Sequence, residues 1–283
     1  MLNRASLNNY LMKELSSITM KDIARDLNVS IATVSRALKD SPRISKVQRE
    51  RIQQYAHEHN FYPNVIGAAL RNNRAQSMKI IGVIVPEFNH YYFSSILSGI
   101  EEEASARGYR IMVSQSKDSY EREVQICDSF YKYKVCGVIV SQAKGTAKYD
   151  HFKKLIEEGM PLVFYDRICT GVEASRVVVD DYMGAFTAVT HMIDTGCRRI
   201  AFYGSSMTME ISKNRFNGYK DALLKHGSQL DENLVRLCDN RAAAEAITPE
   251  ILSMEDRPDG FFAINDDTAI GILYTAKHMG YHI

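Results

Sequence analysis

Hydrophobic residues recur with two different spacings along the chain, and the spacing changes near residue 77. Before that point they come three and four positions apart, as in Met20, Ile23, Ala24 and Leu27, which is the period of an amphipathic helix. Beyond it, short continuous apolar runs alternate with stretches of helical period. A chain of 283 residues is long enough for more than one domain. The pattern therefore predicts an all-α N-terminal domain followed by a larger α/β domain.

The N-terminal part is predicted to hold three short helices, over 20–28, from 31 to about 39, and over 46–60. Residues that cap helix N-termini precede all three, namely Thr19, Ser30 and Ser45. Asn28 suits the turn between the first two helices, because asparagine tolerates left-handed backbone angles. Helices joined in this way make a helix-turn-helix domain. The residues predicted to pack in its core include Val34 and Leu38 of the second helix and Val47, Ile52, Tyr55 and Ala56 of the third.

The second helix, within "NVSIATVSRALKD", has an outer face that is small and half apolar around one arginine. In a helix-turn-helix domain this helix enters the DNA major groove. Ile31 and Ala32 then suit contact with a thymine methyl group, and Arg36 suits a bidentate hydrogen bond to guanine. The alternative, a plain three-helix bundle, leaves the apolar pair on a polar surface unexplained. Short hydroxyls that reach phosphate oxygens come from Ser30, Thr33 and Ser35.

A further short segment, "YPNVIGAALRNNRAQS", starts a weak helix at Pro63 that runs to about Arg71. Here the sequence resembles the LacI/GalR family of bacterial transcription regulators, whose DNA-binding module is similar to "TMKDIARDLNVSIATVSRALKDSPRISKVQRERIQQYAHEHNFYPNVIGAALR". The resemblance implies a hinge helix that orders on the operator, with Leu70 wedged into the minor groove. A linker leucine that packs on the following domain is the alternative. The other DNA contacts that the resemblance implies are Thr19, Asn64, Ala69 and Arg71.

Charge is divided unevenly between the two parts. Residues 1–76 carry twelve Lys and Arg against six Asp and Glu, a balance of +6, whereas residues 77–283 carry 23 against 28, a balance of −5. The two add up to the formal net charge of +1. A basic N-terminal part fits an anionic partner such as double-stranded DNA. From charge alone, a merely solvated basic domain is an equal alternative.

The α/β domain is predicted to form two lobes of parallel, doubly wound sheet, because two successive sets of strands alternate with helices. The first set has strands at 79–85, 109–115, 136–142 and 161–166, and helices at 93–107, 120–134 and 149–158. The second has strands at 176–181, 199–205, 234–238 and 259–265, and helices at 183–195, 212–226, 241–254 and 267–279. Ligands of such folds bind beyond the carboxyl ends of the strands, so we expect a site in the cleft between the lobes.

Polar and aromatic side chains gather at those strand ends, namely Tyr92, Phe93, Ser141, Asp166, Arg215 and Asp266. Carboxylates and guanidinium groups bind adjacent sugar hydroxyls, and aromatic rings stack on the apolar face of a sugar. Taken singly, Asp266 also fits a helix N-cap, and Arg215 a surface salt bridge. The family resemblance extends to a periplasmic-binding-protein-like effector domain. It implies that the effector pocket is lined by Tyr92, Phe93, Asp166, Arg215 and Asp266.

Motifs typical of other functional classes are absent from the sequence. The five cysteines lie far apart, which is typical of reduced core thiols and not of zinc sites or disulfides. We find no glycine-rich phosphate loop after the first strand, no G-x-S-x-G motif and no metal-spaced His/Cys cluster, so no cofactor or metal is expected. With no signal peptide or membrane-spanning run, a cytoplasmic, nucleoid-associated protein of a bacterium is expected, with no membrane partner. The alternative function is a cytosolic α/β enzyme or small-molecule-binding protein for a polyhydroxylated ligand.

The sequence thus predicts a sequence-specific DNA-binding regulator, a repressor, controlled by a sugar or sugar derivative. It is expected to act as a homodimer on a palindromic operator. Whether the effector is an inducer or a corepressor is left open. Family chains continue beyond residue 283, so sheets that are incomplete at the C-terminus are expected. The predicted divisions are a disordered extension over 1–17, the helix-turn-helix domain over 18–62, the hinge helix and linker over 63–76, and the effector-binding and dimerisation domain over 77–283, with an N-lobe at about 77–178 and a C-lobe at about 179–283.

Overall fold

The computed structural model describes residues 18–59, 61 and 79–282. The chain divides into two compact units, Met1–Met78 and Lys79–Ile283. The predicted N-terminal extension and the predicted hinge helix and linker lie outside the described residues.

The described part of the first unit contains three helices, α1 (Met20–Asp26), α2 (Ile31–Ala37) and α3 (Lys46–Glu58). All three predicted caps form, because the side chains of Thr19, Ser30 and Ser45 each accept a backbone N–H from the first turn of their helix. Asn28 lies between α1 and α2 with φ of 50°, the left-handed conformation expected of it. Each helix ends about two residues before its predicted end.

The core of this unit is small and almost entirely aliphatic. Ile23, Val34, Ala37 and Ile52 are fully buried, and Leu38 packs against them while partly exposed. The prediction that Val47 is buried is wrong, since its side chain is 79% exposed. Val47 precedes Ile52 by five residues, about 140° around the helix at 3.6 residues per turn, so the two side chains point to different sides of α3.

The second unit begins with a lobe whose sheet has five parallel strands in the order β2-β1-β3-β4-β5. The buried runs in its central strands, such as Val83, Ile84 and Val85, are typical of a sheet covered on both faces. The elements of this first lobe are β1 (Ile80–Val85), α4 (Tyr91–Ala106), β2 (Arg110–Gln115), α5 (Tyr120–Lys132), β3 (Gly137–Val140), α6 (Asp150–Glu157), β4 (Leu162–Tyr165) and β5 (Ser175–Val177).

The second lobe has a three-stranded parallel sheet in the order β7-β6-β8. Its core includes the fully buried Phe202 and Tyr203 of the central strand. The elements are α7 (Asp181–Asp194), β6 (Ile200–Gly204), α8 (Glu210–Lys225), a 3₁₀ turn (Glu232–Leu234), β7 (Val235–Leu237), α9 (Arg241–Leu252), β8 (Gly260–Ala263) and α10 (Asp266–His278). Among the described residues, no helix has both the length and the apolar composition needed to cross a membrane.

One strand was grouped with the wrong set of strands in the sequence analysis. The run at 176–181 was predicted to start the second set, but Ser175–Val177 pairs with β4 at the edge of the first sheet, with Val177 opposite Tyr165. Asp180 accepts the backbone N–H of Met183 at 2.9 Å, which starts α7 and limits the strand to three residues. Apolar periodicity identifies a strand but not the sheet that receives it.

Close contact between α7 and α8 depends on a glycine. A Cβ atom on Gly218 would lie 2.3 Å from the backbone oxygen of Tyr182, closer than packed atoms come. The missing side chain lets the two helices approach, and this approach places Arg215, one turn earlier on α8, beside Asp181 at the start of α7.

Candidate functional site

The outer face of α2 presents the residues that were predicted to read DNA bases. Ile31 is 45% exposed, and Ala32 and Arg36 are exposed beside it. Val34 and Ala37 of the same helix are fully buried, so the helix is fixed in rotation by its core contacts. The arrangement directs a small apolar patch and one guanidinium away from the protein.

Hydrogen bonds within the unit already engage three hydroxyls that were predicted to contact DNA, those of Thr19, Ser30 and Thr33. Ser30 Oγ accepts the Thr33 backbone N–H at 3.1 Å, and the two hydroxyl oxygens lie 2.8 Å apart. Thr19 forms a capping box with Asp22, whose carboxylate accepts the Thr19 hydroxyl at 2.6 Å. These groups lie at helix N-termini, where backbone N–H groups also point outward. The predicted hinge contacts Asn64, Ala69, Leu70 and Arg71 lie outside the described residues.

In the second unit a cavity of about 580 Å³ lies between the two lobes, at the carboxyl ends of their strands. Five of the six predicted effector-binding residues line it, although they come from separate segments of the chain. They are Tyr92, Phe93, Asp166, Arg215 and Asp266.

The sixth residue, Ser141, is not part of this lining. It is fully buried directly after β3, and its hydroxyl has no hydrogen-bond partner in the described part of the chain. The prediction that Ser141 lies at the pocket surface is therefore not supported. Lys144, three residues further along the chain, lines the cavity instead.

Arg215 is held by two partners of its own lobe. Its Nε and Nη2 atoms both lie 2.8 Å from one Asp181 oxygen, and Nη1 donates to the backbone carbonyl of Ile264. A guanidinium has five N–H donors, so donors remain for a ligand. The side chain is therefore fixed in place by a salt bridge to Asp181, and it also lines the cavity.

Asp166 is a buried carboxylate in a constrained backbone conformation. Its φ is 56°, and its side chain is 8% exposed. Burial raises the pKa of Asp166, although the Arg167 charge and the nearby Tyr92 hydroxyl oppose the rise. Burial and the Asp166 charge together raise the pKa of Tyr92 to about 12, so this phenol stays protonated.

The predicted aromatic pair has two different environments. Phe93 is buried and meets the rings of Tyr92 and Tyr165 edge-on at centroid distances of 5.4 and 6.5 Å. The guanidinium carbon of Arg167 lies over the Phe93 ring, 5.7 Å from its centroid. Tyr92 is 49% exposed. The ring of Tyr92 is therefore the one available to a ligand, and Phe93 supports it.

Asp266 is exposed at the start of α10 and is not the helix cap. Asn265 has that role, because its side-chain oxygen accepts the Thr268 backbone N–H at 2.9 Å and its amide donates to the Asp239 carbonyl at 2.9 Å. The Asp266 carboxylate thus remains available in the cavity, and the capping alternative does not apply to it.

The charged residues of the cavity that the sequence analysis missed include Asp118, Lys144 and Asp239. Each follows a strand end, in "SQSKD" after β2, "SQAKG" after β3 and "LCDN" after β7. The strand-end rule that identified Asp166 would have found them too. Asp118 accepts a hydrogen bond from Arg167 at 2.5 Å, and Lys144 donates to Asp239.

The chain matches two family models in consecutive stretches. Residues 78–283 match "Periplasmic binding proteins and sugar binding domain of LacI family", and residues 19–64 match "Bacterial regulatory proteins, lacI family". The chain belongs to the LacI family. It is a DNA-binding transcriptional regulator with a sugar-binding type of effector domain, and it is not an enzyme.

Individual LacI-family relatives agree with this assignment over nearly the whole chain. Catabolite control protein A of Priestia megaterium is 25% identical over 270 residues, which are 94% of this chain and 80% of the relative. HTH-type transcriptional repressor CytR of Escherichia coli K12 is 28% identical over 272 residues, or 95% of this chain and 77% of the relative.

Solved structures of LacI-family proteins share the fold. A transcriptional regulator CelR–cellobiose complex has a TM-score of 0.66 at 25% identity and covers 94% of this chain and 80% of its own. The lac repressor dimer bound to operator and the anti-inducer ONPF has a TM-score of 0.79 at 20% identity, covering 95% of this chain and 80% of its own. The second likeness concerns the fold alone.

Proposed function

We propose that this regulator is a repressor that binds a palindromic operator as a homodimer and is controlled by a sugar or sugar derivative bound between the lobes. The observation that carries the proposal is the convergence of five separately predicted residues on one cavity between two lobes. We place the protein in the bacterial cytoplasm at the nucleoid, where the operator is.

In the proposed DNA complex, α2 lies in the major groove. Ile31 and Ala32 contact thymine methyl groups, and Arg36 reads a guanine. Phosphate contacts that set the register come from Thr19, Ser30, Thr33, Ser35 and Arg71, and minor-groove contacts come from Asn64, Ala69 and Leu70. A two-fold protein dimer requires two half-sites in inverted orientation, which is the reason for proposing a palindrome.

In the proposed effector complex, the ligand is a polyhydroxylated and uncharged molecule. Carboxylates at Asp166 and Asp266 accept hydrogen bonds from hydroxyl groups, Arg215 donates to an oxygen, and Tyr92 stacks on the apolar face. The cations that line the cavity are paired with carboxylates, in Arg215–Asp181, Arg167–Asp118 and Lys144–Asp239. A phosphate group would have to compete with these carboxylates, whereas a neutral sugar would not. CelR, in its complex with cellobiose, gives a relative with a ligand of this class.

The proposal is tested by selecting genomic fragments that bind the purified chain and then titrating the bound operator with a panel of neutral sugars and their phosphates. We expect one enriched palindrome whose affinity for the protein changes with a neutral sugar. Enrichment of no sequence over random DNA would contradict the operator proposal. A response to sugar phosphates alone would contradict the proposed effector class and leave the operator proposal standing.

A further inference from the structure

The cavity between the lobes is crossed by one ion pair. Lys144 lies in the loop after β3 of the first lobe, and its ammonium donates to the carboxylate of Asp239, which follows β7 of the second lobe. Within residues 79–282 as described, every other salt bridge joins groups of the same lobe. The pair is therefore placed to act on the relative position of the lobes.

The Lys144 side of the pair is held by a buried carboxylate below the loop. Glu123 of α5 is fully buried and accepts the Ala143 backbone N–H at 2.7 Å and the Thr146 hydroxyl at 2.6 Å. His151 Nε2 lies 2.9 Å from the same carboxylate. Bonds to a fully buried carboxylate are short and strong, so they fix the residues on both sides of Lys144.

Asp118 holds the same loop from a second direction. Its carboxylate accepts the backbone N–H of Lys144 at 3.0 Å, and its backbone oxygen accepts that of Gly145 at 3.2 Å. The loop therefore has little freedom, and the lysine side chain leaves it already directed across the cavity. Less conformational entropy is lost when such a side chain forms its ion pair.

The Asp239 side is equally fixed within the second lobe. Ser205, directly after β6, donates to the same Asp239 oxygen as Lys144, and Asn265 donates to the Asp239 backbone oxygen at 2.9 Å. Burial raises the pKa of Asp239, but the hydrogen bonds from Lys144 and Ser205 outweigh it and hold the pKa below its ordinary value. The carboxylate is thus charged at neutral pH. The side chains of Lys144 and Asp239 are 33% and 19% exposed, so water screens the pair only in part.

We propose that Lys144 and Asp239 form a cross-cleft bridge that holds the two lobes together before any effector enters. A preformed contact between the lobes shifts the equilibrium toward the closed arrangement, and an effector then changes that equilibrium only through its unequal affinity for the two arrangements. Lys144 and Asp239 are positioning residues that set the equilibrium between the two arrangements of the lobes before the effector binds.

The bridge is tested by hydrogen–deuterium exchange of the ligand-free full chain, followed peptide by peptide. In Asp239→Asn the changed residue lies in the second lobe, but we expect amide exchange over 141–146 of the first lobe to rise about fivefold or more. Lys144→Met should raise exchange over 236–241 of the second lobe in the same way. The double variant should exchange no faster than the single ones, because each removes the same interaction.

Matched variants separate the bridge from general damage to the fold. Lys148→Met removes an exposed lysine of the same connection and should leave amide exchange over 141–146 and 236–241 as in the wild type. Lys144→Arg keeps the positive charge, so its amide exchange should be close to that of the wild type. Circular dichroism checks that every variant is folded. A rise confined to the lobe that carries the substitution, or effects that simply add in the double variant, would overturn the proposal. Operator and sugar binding are measured separately, so failure of the proposed function remains distinguishable.

Discussion

At the scale of single residues, Arg36 is the side chain expected to distinguish one DNA sequence from another. It is exposed on a helix whose rotation is fixed by the buried Val34 and Ala37. We expect Arg36→Ala to weaken binding to the selected operator by about 1–3 kcal/mol, because a bidentate contact to guanine is lost, and to weaken binding to random DNA little. Fluorescence anisotropy on both duplexes at one salt concentration measures the difference.

The matched control for that experiment is Lys39, an exposed cation two residues beyond α2. A lysine near phosphates contributes to all sequences alike, so Lys39→Ala should weaken both duplexes by a similar factor and reduce the salt dependence. Equal losses on both duplexes for Arg36→Ala would show that Arg36, too, contacts only the backbone.

A second residue-scale expectation concerns the buried Asp166. Its pKa is raised, so its charged form is disfavoured in the fold, and ionisation costs stability as the pH rises through the folded pKa. Asn keeps the shape of the side chain without the charge, and it tolerates the φ of 56°. We expect Asp166→Asn to have a higher Tm than the wild type at pH 7, by about 2–4 °C for each kcal/mol gained in the free energy of unfolding. This difference in Tm should become smaller toward pH 4. A difference in Tm that does not depend on pH would show that the Asp166 charge is not its cause.

At the scale of elements, the approach of α7 and α8 sets the position of Arg215. We expect Gly218→Ala to destabilise the protein by about 1–3 kcal/mol, because the added methyl group would meet the Tyr182 carbonyl at 2.3 Å. Gly184, within α7, has no neighbouring atom within 4 Å of an added Cβ, so Gly184→Ala should stabilise by about 0.5–1 kcal/mol. The chain has no tryptophan, so urea unfolding is followed by circular dichroism. If Gly218→Ala leaves the free energy of unfolding unchanged, the two helices can move apart without destabilising the protein.

Most elements were predictable because their signals are local. Caps such as Thr19 and Ser30 act within one turn, and fully buried strands such as Ile80–Val85 show as continuous apolar runs. Two errors came from information that is not local. The exposure of Val47 depends on which face of α3 meets the other helices, and the pairing of Ser175–Val177 depends on where the next helix begins.

The candidate site shows the same division. The strand ends of both lobes border one cleft in such a fold, so Asp166 and Asp266, which each follow a strand, could be expected near one another. The ion pair between Lys144 and Asp239 depends on the path of the loop that follows β3. That path is set by Glu123, a buried carboxylate on a different helix, which no spacing in the sequence reveals.

At the scale of the whole molecule, effector binding and operator binding are linked by one coupling free energy. If a sugar changes operator affinity by some factor, the operator must change sugar affinity by the same factor. We expect the two factors, measured by anisotropy and by calorimetry, to agree in the wild type. In Asp266→Asn we expect both coupling factors to equal one, which means that sugar and operator no longer affect each other's binding. Operator affinity without sugar should stay unchanged, because Asp266 lies in the cavity and does not cap the helix.

The neighbouring acid provides the control for this last expectation. Asp267 lies in the same turn of α10 but accepts the Arg241 backbone N–H at 2.8 Å, at the start of α9. Asp267→Asn should therefore lower stability and keep the sugar response, whereas Asp266→Asn should lose the response and keep stability. If Asp266→Asn still responds fully, the carboxylate does not bind the effector, and the contribution of Arg215 and Asp166 has to be measured in its place. If both variants lose the response together, the start of α10 acts as a structural unit, and the loss cannot be attributed to a ligand contact.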